Sequence, residues 1–195
     1  MDKNQIISFF DAAAEKWDSI QERNENAISF ILDKGGITEG VKVLDVASGT
    51  GVLFPDYIKR GAEVTGIDIS GEMAEKAKAK FPDIEFIVAD AEEYSFSGKY
   101  DAVMIYNAFP HFPDPERLIK NLSQVLTAGG RLTIAHGISE EELERCHATV
   151  AKDVSLPLPE KEKLGEMMSE LFEVDTMISD SEKYIVSGKK KAYEM

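Results

Sequence analysis

The sequence predicts an α/β protein built on a doubly wound, mostly parallel sheet. Three observations carry this reading. Apolar runs of strand length alternate with helical periodicities along most of the chain. The run Tyr100–Tyr106 is apolar at almost every position, as a strand covered on both faces must be. The stretch Val43–Leu53, VLDVASGTGVL, passes from an apolar strand through a run of small residues into a helix. At such a transition backbone comes close enough to touch a ligand, because no bulky side chain intervenes.

In chain order, Ile6, Phe9, Phe10, Ala13 and Trp17 recur at three- and four-residue steps and predict an amphipathic helix over residues 3–17. A second helix is expected from about Ser19 to Lys34, stopped by Gly35-Gly36. Strand Val41–Val46 and helix Gly51–Lys59 follow, then strand Glu63–Ile67 and a helix capped by Ser70 that reaches about Lys80. Ile84–Ala89 and Tyr100–Tyr106 are strands. Asp114 caps a helix with Pro115 in its first turn, ending near Leu126. Gly129-Gly130 is expected to break the chain before strand Arg131–Ala135. Ser139 and Glu142 have capping-box spacing for a helix to about Val150. A further helix spans Pro159–Leu171, and strands Phe172–Ile178 and Tyr184–Lys189 close the chain as an antiparallel pair around Ser179-Asp180-Ser181.

Composition bounds the function classes. The chain has 195 residues and a formal net charge of -14. This balance disfavours nucleic acid and anionic membrane surfaces, which need clustered Lys and Arg. No stretch approaches the roughly 18 apolar residues of a membrane span, and the N-terminus has no leader-like apolar run. The single Cys146 forms no intrachain disulfide; a cytoplasmic protein is expected. One domain is expected over residues 1–195, with 1–36 as a helical lid and 41–195 as the core. Oligomeric state is not legible.

In a parallel sheet, ligands sit beyond the carboxyl ends of the strands. That rule selects Asp45 to Gly51, Asp68, Asp90-Ala91, Asn107 to His111, and His136. Asp68, ending the second strand in GIDIS, is placed to accept both hydroxyls of a ribose, with Ile69 as an apolar wall beside a base. Asp90, in VADAEE, is placed to accept the exocyclic amine of adenine, with the Ala91 amide nearby. Asn107 would face the reacting end of the ligand.

The ordered set VLDVASGTG, GIDIS, VADAEE, YDAVMIYNAF and LTAGGRLTIA resembles the class I S-adenosylmethionine-dependent methyltransferases over nearly the whole chain. The resemblance implies a Rossmann-like seven-stranded sheet of order 3-2-1-4-5-7-6 and S-adenosyl-L-methionine as cofactor. It implies that Asp45, Ala47, Gly49 and Gly51 line the methionine and ribose site, with Asp68 on the ribose and Asp90-Ala91 on the adenine. The family usually has Gly where Ala47 stands. The stretch FFDAAAEKWDSI resembles the lid helix of small-molecule members, with Trp17 over the methionine end. A dinucleotide-dependent oxidoreductase fits less well: Phe54 occupies the place of its third glycine, and Asp45 would oppose a pyrophosphate. A regulatory protein that binds the cofactor without turnover is the remaining alternative.

Methyl transfer from a sulfonium needs alignment first, and a base only where the acceptor holds its proton. His111 and His136 are expected to face a shared acceptor pocket, one acting as base, or both ligating a metal with His147 completing the set. No metal site is assigned on this sequence alone. Only the N-terminal helices and residues 138–171 are spare to build the pocket, so a small-molecule acceptor is expected. NAFPHF lacks the Asn/Asp-Pro-Pro-aromatic set of amino-methylating relatives, which favours an oxygen, sulfur, carbon or metalloid acceptor. Cys146 reads as a small buried residue, and Met167, Met168 and Met177 as core filling. Lys189-Lys190-Lys191 reads as a solvated edge that discourages strand pairing.

Overall fold

A computed structural model describes residues 1–20, 23–149 and 151–192, the side chains of 146–149 excepted. Cys146 and the imidazole of His147 therefore lie outside the described residues, and with them the three-histidine alternative. Seven strands form one sheet in the order β3-β2-β1-β4-β5-β7-β6. They are β1 (Lys42–Val46), β2 (Glu63–Asp68), β3 (Glu85–Val88), β4 (Tyr100–Tyr106), β5 (Leu126–His136), β6 (Phe172–Ser179) and β7 (Tyr184–Lys190). Strand β1 runs parallel to β2 and β4, whereas β7 is antiparallel to both β5 and β6. The expected order and the expected antiparallel strand are both present.

The helices are α1 (Lys3–Ala13), α2 (Trp17–Ile20), α3 (Glu25–Lys34), α4 (Phe54–Lys59), α5 (Gly71–Lys80), α6 (Pro115–Val125), α7 (Glu140–Thr149) and α8 (Lys161–Ser169). Alternation along the strands sorts the apolar side chains onto two faces. Leu44, Val46, Val103 and Ile105 pack with Leu118 and Leu122 of α6 and with Leu164 and Met168 of α8. Val43, Ala102 and Met104 pack on the other face with Ile28, Ile31 and Leu32 of α3 and with Phe54 and Tyr57 of α4. Both faces of the central strands are thus covered, which explains the nearly continuous apolar run in β4.

Several boundaries differ from expectation for identifiable reasons. Helix α3 starts at Glu25, because Asn24 is extended and its side chain accepts the Ala27 N–H as a cap. Helix α4 starts at Phe54, because Gly51 turns in the left-handed region (φ +82°). A Cβ on Gly51 would sit 2.7 Å from the Phe54 ring. Strand β5 begins at Leu126, since the chain re-enters the sheet opposite Tyr100 and passes Gly129-Gly130 as an irregularity within the strand. Lys189 and Lys190 do not guard an edge, because β7 is an inner strand; Lys190 and Lys191 donate instead to the carbonyls of Leu126 and Ser169. Met168 is core as expected, while Met177 is 47% exposed. Among the described residues no helix is long and apolar enough to cross a membrane.

The N-terminal segment lies across the carboxyl ends of the strands on a slender apolar seat. Ile6 packs with Ala151 and Val154, flanked by Phe9, Phe10 and Ile69. Polar ties supply much of the rest: Asp11 accepts from Ser70 Oγ, Glu15 pairs with Lys76, and Asp18 with Lys80.

Candidate active site

A cavity of about 810 Å³, its open mouth included, lies at the carboxyl ends of β1 to β4. Its floor comes from the strand-to-helix turns and its roof from α1 and Trp17.

The turn after β1 is shaped by backbone. Ala47 and Gly49 both adopt left-handed conformations (φ +53° and +55°), and both line the cavity. In that region the Ala47 side chain costs about 1 kcal/mol relative to glycine. Asp68 fastens this turn to the end of β2. Its Oδ2 accepts the Gly49 N–H at 2.8 Å and its Oδ1 the Ser70 N–H at 2.9 Å. Burial pushes the Asp68 carboxyl up to about 6, and the N–H donors of Ser70 and Gly49 hold it from rising further. Ile69, Asp90 and Ala91 also line the cavity. Asp90 Oδ1 accepts the Glu92 N–H at 2.9 Å.

Asp45 and Gly51 are not on the cavity wall. Gly51 belongs to a shallower surface depression with Val52 and Asp56, and its close neighbour is Phe54. Asp45 is 2% exposed, behind the loop. Its Oδ2, with Ser48 Oγ and Tyr57 Oη, is buried without a hydrogen-bond partner among the described residues. Burial, and then the charge of Asp68, pushes the Asp45 carboxyl well above its ordinary range. Burial, and then Asp45, raises the Tyr57 hydroxyl in the same way. Buried polar atoms ordinarily carry partners. An acid left open directly beneath the glycine turn fits a ligand whose cationic, hydrogen-bond-donating end lies there. The acceptors and apolar walls of the cavity therefore fit an adenosyl sulfonium: acids to accept from its hydroxyls and amines, apolar side chains against its base.

The reacting end is built from the fourth strand and the roof. Asn107 lines the cavity in a left-handed conformation (φ +54°), and its Oδ1 accepts the Gly137 N–H at 2.9 Å. Trp17 lines the roof and meets Phe10 edge-to-face at 5.5 Å. His111 lines the wall and packs edge-to-face on Phe10 at 4.9 Å. Its Nδ1 lies 2.8 Å from the Val154 carbonyl and 3.2 Å from Ser155 Oγ. A carbonyl only accepts, so the proton of the neutral ring sits on Nδ1 and Nε2 is the basic nitrogen.

His136 does not share this pocket. It is fully buried at the end of β5, opposite Tyr184 of β7, and meets that ring edge-to-face at 6.1 Å. Pairing with an inner strand encloses the side chain that was expected to face an acceptor. Among the described residues no group of three or more His, Cys, Asp or Glu is placed to hold a metal. Ile6 and Phe10, read in the sequence as the apolar face of the lid helix, stand on the wall. Sequence reasoning missed Lys3 and Phe112 on the wall and the buried Tyr57 beneath it; of these Tyr57 carried a signal, three residues after Phe54 on the inward face of a short helix.

The family described as methyltransferase domain matches residues 43–130. A demethylmenaquinone methyltransferase of Renibacterium salmoninarum is 30% identical over 138 residues, covering 68% of this chain and 58% of the relative. A ubiquinone biosynthesis O-methyltransferase of Escherichia coli O157:H7 is 29% identical over 140 residues, covering 65% and 58%. The chain thus spans about three-fifths of the length of these curated relatives. Among solved structures, magnesium protoporphyrin IX methyltransferase from Synechocystis with bound SAH superposes with a TM-score of 0.75 at 18% identity, covering 97% of this chain and 100% of that one. An N-methyltransferase from Bradyrhizobium japonicum in complex with S-adenosyl-L-homocysteine gives 0.72 at 12% identity, covering 94% and 100%. At these identities the structural likeness speaks for the fold.

Proposed function

The chain belongs to the class I S-adenosylmethionine-dependent methyltransferases, and we propose that it methylates a hydroxyl on a small aromatic or quinol-like acceptor. The observation that carries the acceptor chemistry is the hydrogen bond from His111 Nδ1 to the Val154 carbonyl, which makes Nε2 the basic nitrogen of a ring that lines the cavity. The names of the curated relatives, both tied to quinones, support a ring-bearing acceptor.

When bound, S-adenosylmethionine supplies an electrophilic methyl group on a sulfonium. Asp68 would accept the ribose hydroxyls, Asp90 and the Ala91 amide would meet the adenine edge, and Ile69 would wall its face. Asp45, from behind the glycine turn, would counter the cationic methionine end. Phe10, Trp17 and Phe112 exclude water and narrow the approach of the acceptor. His111 Nε2 takes the acceptor's hydroxyl proton as the oxygen gains the methyl group that the sulfonium would give up, the bonding pair staying on sulfur. The Val154 carbonyl then holds the imidazolium through its Nδ1–H.

The test is release of S-adenosylhomocysteine across a panel of phenols, hydroquinones and thiols, with the wild type and His111→Ala. Turnover on ring hydroxyls is expected, with His111→Ala losing about 10²–10⁴-fold in kcat and the limb of the pH profile that reports the base. An unchanged rate and profile in the variant, or turnover confined to thiols, overturns the base assignment. Binding of cofactor without release on any acceptor would favour the non-catalytic alternative.

A further inference from the structure

We propose that Lys3 is a positioning residue for the adenine end of the cofactor, tying the first helix to Asp90 so that acid and roof are held in place together. The inference rests on the reading of Asp90 as the adenine-facing acid and goes beyond it to a residue outside every motif of the family.

The tight turn after β3 carries three acids, Asp90, Glu92 and Glu93, closed by bonds from the Glu93 and Tyr94 amides to the Asp90 carbonyl. Lys3 Nζ reaches all three. It pairs with Asp90 Oδ2, with Glu92 Oε2 at 2.8 Å and with Glu93 Oε1 at 3.2 Å. Glu92 is the telling partner. Its side chain is 1% exposed, and its other oxygen accepts the Asp114 N–H at 2.8 Å. A carboxylate this buried needs a cation, and isolated burial of its charge costs several kcal/mol. Arg117 reaches only Glu93, so among the described residues Lys3 alone pairs with Asp90 and Glu92. Burial pulls the Lys3 ammonium down, but its bonds to Asp90 and Glu92 outweigh this and hold it above its ordinary range.

Lys3 is also part of the cavity wall. It is the first residue of α1, whose N-cap is Asp2, and it stands one helical turn before Ile6 on the roof. The apolar seat of α1 is small, so an ionic tie at its first turn fixes where the helix starts. The same tie fixes Asp90. One of its oxygens is held by the Glu92 amide and the other by Lys3, which leaves the carboxylate a single orientation toward the cavity. Removing the ammonium frees that carboxylate to turn toward solvent, away from its like-charged neighbours, and unfastens the roof above it.

The experiment is calorimetric binding of S-adenosylhomocysteine to wild type, Lys3→Met and Lys3→Arg, with thermal unfolding of each and kcat at saturating cofactor. Lys3→Met is expected to bind about tenfold more weakly, a loss of about 1.4 kcal/mol. Lys3→Arg should recover to within about threefold, since the guanidinium keeps the charge. The wild-type affinity should fall with added salt more steeply than that of Lys3→Met. The saturated kcat should fall by a smaller factor than the affinity, because the interaction lost at the adenine end serves ground state and transition state alike. Lys3→Met binding within twofold of wild type overturns the proposal. So does equal weakening in Lys3→Arg, or a loss that tracks a collapse of the unfolding midpoint. A wild-type protein that fails to bind S-adenosylhomocysteine overturns the cofactor reading itself, a result distinct from any difference among the variants.

Discussion

At the nucleoside end of the cavity, Asp68 is held by the amides of Gly49 and Ser70, and Asp90 by that of Glu92. At the acceptor end, His111 is held by Val154, 43 residues away in sequence, and packs on Phe10 from the first helix. The first end is made from turns whose side chains bond to backbone within two residues or to the neighbouring strand. The second is made where three remote segments meet. A site fixed mainly by local turns keeps most of its shape whatever covers it, even with the bond from Lys3 that ties Asp90 to the roof. A site fixed by remote segments changes shape when any of them shifts, so one fold can keep one cofactor while its acceptor varies.

The contrast can be broken most sharply at Asp68. Asp68→Ala removes the ribose acceptor and leaves the Gly49 and Ser70 amides unpaired, at about 1–3 kcal/mol for each buried group. Affinity for S-adenosylhomocysteine should fall about 100-fold, and the acceptor KM at saturating cofactor should hold within threefold. An equal loss on both ligands in calorimetry and steady-state kinetics would erase the distinction between the ends.

Acidity probes the same end. Asp68 has a raised pKa of about 6 in the free protein, and Asp45 is raised as well. The free protein therefore takes up protons as pH falls through about 6, whereas the ribose hydroxyls and the cationic methionine end favour the ionised acids. Through Asp68, affinity for S-adenosylhomocysteine should weaken below about pH 6, approaching tenfold per pH unit as that carboxyl protonates. Binding measured in buffers of different ionisation enthalpy should show net proton release near pH 6. A flat affinity between pH 5 and pH 7 would contradict the burial of these acids.

A smaller effect sharpens the other end. Phe10→Ala removes the ring against which His111 and Trp17 both pack. The acceptor KM should rise about tenfold while cofactor affinity changes less than threefold. If the cofactor weakens as much as the acceptor, the roof serves both ends and the contrast fails there.

What was legible in the sequence follows the same line. The sheet order came with the family resemblance and is observed. The glycine turn and the Ser70, Asp114 and Ser139 caps rest on short-range chemistry and are present, and Asp68 and Asp90 line the cavity at the ends of their strands. The placement of His136 failed because its exposure depends on β7, a strand nearly fifty residues later, lying beside β5 and not at the edge. The same pairing defeated the edge role of Lys189–Lys191. His111 was legible as a strand-end histidine, but its partner Val154 was not, because nothing near either residue encodes their meeting. Lys3 carried no local signal; its partners lie 87 to 90 residues away.

The inner position of β7 also constrains how the chain assembles. β6 touches the sheet only through β7, which follows it in sequence. The turn between them is closed locally by Asp180, which accepts the Glu182 and Lys183 amides, so these two strands can form a hairpin before they dock. Until that hairpin arrives, Leu132 and Ile134 of β5 border an open hydrogen-bonding edge, the kind of surface on which partly folded chains stick to one another. Arg131, gripping Asp175 of β6 and Ser187 of β7 at 2.8 and 3.0 Å, is the clasp that closes it.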